Sequence, residues 1–190
     1  MKVIGLAGSP GTGKSAVGQE LARRPGVRWI DLDPIAWSAY RQGTEAFVRL
    51  VERFGPAVVG DDGAIDRRRL AKQVFETSEA RRDLDAIVHP AVNEAMAERI
   101  RAERANGAEI LLIEGALLAT SPHVDWSLFD AILWLEASEG ARRERLAADG
   151  REAQVDRLDG IEPRGTVQRI SADGSVTEVA DRIWRAIGTR

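Results

Sequence analysis

The residues Gly8-Ser9-Pro10-Gly11-Thr12-Gly13-Lys14-Ser15 match G-x-x-x-x-G-K-[ST] without a gap. At average residue usage such a run arises by chance in about one chain of this length in a hundred. The chain has 27 lysines and arginines, but its only lysines are Lys2, Lys14 and Lys72. A lysine inside a glycine-rich loop therefore stands out. Glycines at positions 5, 8, 11 and 13 let the backbone turn its N–H groups inward around a phosphate. The helix that follows directs its positive end to the same point. Lys14 would bridge the β- and γ-phosphates of a nucleoside triphosphate, and Ser15 would place its hydroxyl on Mg²⁺. Gly8 to Ser15, closed by Ala16, are the candidate nucleotide-binding residues.

Three further groups could complete a phosphoryl-transfer site. Ile110-Leu111-Leu112-Ile113-Glu114 is an aliphatic run ending in a carboxylate, at the end of a strand where open α/β sheets gather ligands. Glu114 is thus a second Mg²⁺ partner, through water, or else a surface glutamate after a buried strand. Asp31-Leu32-Asp33 follows the second apolar run. Alternation sends Asp31 and Asp33 to one side of a strand, unless the turn has already begun. Two roles stay open for Asp33. It is a base for a substrate hydroxyl, or the cap of a helix starting at Pro34. On the helix after the fourth strand lie Arg142, Arg143 and Arg145, with Arg145 the candidate for phosphate because its fork donates in pairs. The other arginine runs, among them Arg67-Arg68-Arg69, read as solvated helix faces. The five tryptophans read as core or interface, except that Trp37 lies close enough to Asp33 to wall an acceptor pocket.

These side chains need elements to hold them. Residues 2–7, 27–32, 109–113, 131–135 and 167–170 read as strands. Helices are expected at 15–24, 34–41, 45–54, 66–75, 78–106 (interrupted at Pro90), 138–148 and 175–187. Asp62-Gly63 marks a turn. Strands alternating with helices predict an α/β fold with a five-stranded parallel sheet and helices on both faces. The expected organisation is one domain: a core of 1–33 and 108–190, an inserted helical substrate lobe at about 34–107, and a lid at about 145–165.

Composition narrows the classes. In 190 residues 44% are hydrophobic and 30% charged, with no cysteine and a formal net charge of −3. Cysteine chemistry is excluded, and nucleic acid is not the expected partner. No segment approaches the ~20 apolar residues that cross a bilayer. The opening residues read as a buried strand, and the expected location is the cytoplasm.

Further residues join this set in a family's order. After the phosphate loop come Asp31-Leu32-Asp33, Arg53-Phe54-Gly55, Gly63-Ala64-Ile65-Asp66-Arg67, Val74-Phe75, Ile87-Val88-His89-Pro90 and Glu114-Gly115-Ala116-Leu117-Leu118. Together they resemble the dephospho-CoA kinase family over most of the chain. The likeness implies a three-layer P-loop kinase fold and transfer of the ATP γ-phosphate to the 3′-hydroxyl of dephospho-CoA. It also implies Asp33 as base and His89 on the substrate side. Trp37 and Leu117 are further candidates for the substrate side, Mg²⁺ is the expected ion, and a monomer or small homo-oligomer the expected state. Departures touch the same regions. Trp37 stands where the family commonly has arginine, and Ala116 where it has proline. Thr120 replaces a glutamate, and the lid pattern fails after Arg145-Leu146 and at Gln154. Ala172 or Asp173 replaces a late asparagine. A nucleoside or nucleoside monophosphate kinase, or a catalytically weak nucleotide-binding protein, are the competing readings.

Overall fold

A computed structural model describes residues 1–115, 117–151 and 162–188. Five parallel strands form one sheet in the order β2-β3-β1-β4-β5. They are β1 (Lys2–Gly8), β2 (Val27–Asp31), β3 (Ile110–Glu114), β4 (Ala131–Glu136) and β5 (Gln168–Ser171). The helices are α1 (Lys14–Leu21), α2 (Leu32–Ala39), α3 (Glu45–Phe54), α4 (Arg67–Val74), α5 (Ser78–Ala105), α6 (Glu139–Ala148) and α7 (Val176–Ala186). The α/β fold and parallel sheet expected from the sequence are both present.

The aliphatic runs of β1, β3 and β4 fit central strands, which are buried on both faces. On one face Ile4, Leu6, Leu112, Leu133 and Leu135 pack with Val17 and Leu21 of α1 and Val179 and Ile183 of α7. On the other, Gly5 leaves room for Leu118 and Phe129, since a Cβ there would meet Leu118 Cδ2 at 2.8 Å. The register sets Leu6 opposite Glu114 and Asp31 opposite Glu114. The carboxyl ends of three neighbouring strands therefore finish at one level.

The chain divides into two compact units, Met1–Leu32 with Ile100–Arg190, and Asp33–Arg99. In the second, Leu50, Phe54, Val58, Ile65, Leu70, Val74 and Ile87 form a separate core. Thr44 caps α3 by accepting from Phe47 N–H, and Asp66 caps α4 by accepting from Arg68 and Arg69 N–H. The turn expected at Asp62-Gly63 closes a small antiparallel bridge between Val59 and Ile65.

Two local expectations change. α5 is not interrupted at Pro90 but runs through it for 28 residues. Proline removes one hydrogen bond and crowds the carbonyl of Ala86. Burial of Ile87, Val92, Met96 and Ile100 along the same helix holds its course on either side. The turn after β2 has begun by Leu32, so Asp33 lies in the first turn of α2 and not on a strand. Strand alternation consequently does not pair Asp33 with Asp31. Much of the lid segment, Ala116 and Gln154 lie outside the described residues.

Candidate active site

The loop between β1 and α1 takes the shape its glycines allow. Gly11 (φ 79) and Gly13 (φ 80) are both left-handed, and Gly13 is the N-cap of α1. A Cβ on Gly11 would also meet Arg142 O at 2.7 Å, so this position is closed to other residues twice over. Thr12 is buried and donates its hydroxyl to Ser9 O at 2.8 Å, which ties the loop across its own base. The Lys14 ammonium donates to Gly8 O at 2.9 Å and Ser9 O at 3.1 Å. Ala16 sits exposed in the first turn of α1.

Ser15 and Glu114, 99 residues apart in sequence, meet here. Ser15 Oγ donates to Glu114 Oε1 at 2.7 Å. Trp29 Nε1 donates to the other oxygen, Oε2, at 3.2 Å. Glu114 is only 8% exposed, so it is not the surface glutamate of the alternative reading. Burial raises its pKa above the ordinary glutamate value, and the Asp31 carboxylate adds to the rise. The hydrogen bonds from Ser15 and Trp29 and the charge of Lys14 oppose it. A hydroxyl and a buried carboxylate beside an ammonium are hard oxygen donors of the kind Mg²⁺ takes.

Trp29 belongs to this arrangement, and residue patterns alone gave it no such place. Its indole reaches Glu114 because it lies against Gly18 of α1, where any Cβ would run into the ring. A glycine one turn past the phosphate loop, with a tryptophan two residues before Asp31, was the available signal.

α6 braces the loop from outside. Its cap is Ser138, which accepts from Ala141 N–H. Buried Arg142 donates from Nε to Pro10 O at 3.0 Å. Arg145 spans further: Nη1 donates to Gly11 O at 3.3 Å and Thr12 O at 3.4 Å, and Nη2 to Ala172 O at 3.0 Å and Gly174 O at 3.3 Å. Its fork therefore links the phosphate loop to the β5–α7 connection. Ala172 and Gly174, the region where the sequence departs from the family, supply the carbonyls.

The other candidates fall elsewhere. Leu117 is 65% exposed just after Gly115. Asp33, Trp37 and His89 belong to the second unit. There Trp37 is 45% exposed on α2, and the Arg67 guanidinium lies 3.7 Å over its ring. Tyr40, half-buried one turn on, feels both Arg67 and Asp33. Burial raises the Tyr40 pKa, Arg67 pulls it down and Asp33 pushes it up. His89 Nε2 is 3.2 Å from Asp85 Oδ1 on the same face of α5.

Known proteins match this chain closely. The dephospho-CoA kinase family model covers residues 2–159. A dephospho-CoA kinase of Symbiobacterium thermophilum is 35% identical over 195 residues, spanning 100% of this chain and 74% of that one. One from Anaeromyxobacter dehalogenans is 36% identical over 182 residues, 96% of this chain and 81% of that one. The crystal structure of TT1252 from Thermus thermophilus superposes with a TM-score of 0.71 and 29% identity, over 98% of this chain and 95% of that one. From its first strand through α6, this chain belongs to the dephospho-CoA kinase family.

Proposed function

We propose that this protein transfers the γ-phosphoryl group of ATP to the 3′-hydroxyl of dephospho-CoA, giving coenzyme A. The observation that carries the reading is the Lys14–Ser15–Glu114 constellation within a chain of this family. Little covalent chemistry falls to the protein in phosphoryl transfer, so its work is positioning and charge stabilisation.

On the donor side, the N–H groups of the Gly8–Ala16 loop cradle the phosphates, and Lys14 exchanges its carbonyl partners for phosphate oxygens. Ser15 and Glu114 would hold Mg²⁺, directly or through water. The ion, when bound, neutralises charge on the β- and γ-phosphates. Arg145 holds Gly11 and Thr12 in place through their carbonyls and borders the nucleotide. On the acceptor side, Asp33 accepts the proton of the attacking hydroxyl. Trp37 and His89 of the helical unit are acceptor contacts in this reading, and Leu117 is a further candidate for that role. The unit from Asp33 to Arg99 is the substrate lobe in this reading, and residues around 145–165 the lid. Among the described residues no helix is long and apolar enough to cross a membrane. Action on a small molecule in the cytoplasm is part of the proposed reading.

The test is a coupled ADP-release assay with dephospho-CoA, nucleosides and nucleoside monophosphates as acceptors. Dephospho-CoA should give the highest kcat/KM. Turnover of a nucleoside or nucleoside monophosphate, with none of dephospho-CoA, would replace the proposed acceptor.

A further inference from the structure

Arg67, Arg68 and Arg69 are adjacent, and the sequence reads all three as a solvated face. The structure separates them. Asp66 caps α4 and fixes the direction of its first turn. Arg69 then folds back, donating from Nη1 to Val59 O at 2.9 Å and pairing with Asp66 at 3.3 Å. Arg67 goes the other way and lays its guanidinium on Trp37, 3.7 Å from the ring centroid. Among the described residues, no carboxylate or carbonyl accepts a hydrogen bond from it.

Stacking has a geometric consequence. A planar guanidinium that rests one face on an indole keeps its N–H donors in the plane, around the edge. The stack fixes the orientation of the fork without consuming any donor. That is the arrangement for bidentate recognition of a phosphate group. Asp33 lies four residues before Trp37 on α2, and both are exposed, so the carboxylate and the guanidinium stacked on Trp37 share one face of the helical unit.

We propose that Arg67, oriented by Trp37, is a specificity-determining residue that binds the phosphate or pyrophosphate group of the nucleotide acceptor, on the surface that also carries Asp33. The inference rests on the acceptor-kinase reading above. It assigns the two side chains separate tasks: Asp33 takes the hydroxyl proton, and Arg67 reads the acceptor's negative charge. An acceptor without a phosphate would then lose affinity although its hydroxyl was correct. Trp37 changes role as well, from a wall of the pocket to the platform that aims Arg67.

Calorimetric binding of dephospho-CoA and of adenosine to the full-length protein separates the possibilities, because adenosine offers the ribose hydroxyls without a pyrophosphate. The wild-type protein should bind dephospho-CoA more tightly than adenosine. Arg67→Gln should weaken dephospho-CoA about 10- to 100-fold, the worth of a charged hydrogen-bond pair, and leave adenosine and ATP affinity unchanged. Arg67→Lys, which keeps the charge but not the fork, should recover only a minor part. Trp37→Leu should cause a smaller loss in the same direction. Both positions are exposed, so melting temperatures should stay near wild type. Unchanged dephospho-CoA binding in Arg67→Gln overturns the inference, as does an equal loss for both ligands. Failure of the parent reading looks different: the wild type would bind dephospho-CoA, with Arg67-dependent affinity, yet release no acceptor-dependent ADP.

Discussion

Around Lys14, the polar side chains already hold partners in the loop and the strand beside it. Thr12, Lys14, Ser15 and Glu114 each hold a hydrogen bond within the first unit, and Arg142 and Arg145 clamp the loop's outer carbonyls. Around Asp33 the surface is open: Asp33, Trp37 and Arg67 are exposed on α2 and α4. The difference follows the chemistry. A phosphate-gripping loop recognises a group common to all nucleoside triphosphates, so it gains from rigidity and pre-formed donors. In the proposed reading the acceptor side must recognise one molecule, and it would do so with exposed groups that a ligand can cover.

The contrast predicts different responses to substitution. Lys14→Ala should lower kcat on the order of a thousandfold, because it removes charge from the transferring group; a loss under tenfold would show that Lys14 is not in the reaction. Asp33→Asn should lower kcat on the order of a hundredfold with ATP affinity nearly intact. A full rate would leave Asp33 only its place in the first turn of α2. Arg145→Ala should raise the KM for ATP about tenfold, through loosening of Gly11 and Thr12, with a smaller effect on the KM for dephospho-CoA. A large fall in melting temperature with a normal KM would make Arg145 purely structural.

Two smaller effects test how each region is held. Gly18→Ala should drive the new methyl into Trp29, destabilise the protein by about 1–3 kcal/mol, and raise the Mg²⁺ concentration needed for half-maximal rate. Thermal melting and a Mg²⁺ titration check both. Asp66→Ala should lower the melting temperature at neutral pH by removing the α4 cap. The backbone N–H groups of Arg69 and Arg68 hold the Asp66 pKa below its usual 3.8. A lowered carboxylate pKa stabilises the fold above the unfolded value, and that contribution fades as pH falls through the folded one. The gap between variant and wild type should therefore narrow below about pH 3.8.

Most of the donor side was legible because it is local. Eight consecutive residues define the loop, and the aliphatic run before Glu114 marks a buried strand's end. Asp33 was legible as a candidate but not its setting, since a helix that starts at Leu32 overrides strand alternation. Pro90 carried a breaker signal that burial along α5 outweighed. Trp29 and Gly18 escaped notice because neither residue type announces a contact across the sheet. Arg67 escaped because a run of three arginines looks alike in sequence, and only the direction set by the Asp66 cap tells them apart. Groups that act through long-range packing leave no spacing to read.

The central claim is that the grip at Lys14 serves transfer to a ribose 3′-hydroxyl. Phosphorus NMR of the product formed from Mg·ATP and dephospho-CoA tests it most directly. The account predicts a new phosphomonoester signal, growing in step with ADP and assigned to the 3′-position of coenzyme A. Release of ADP without that signal, or no reaction at all with dephospho-CoA, would contradict it.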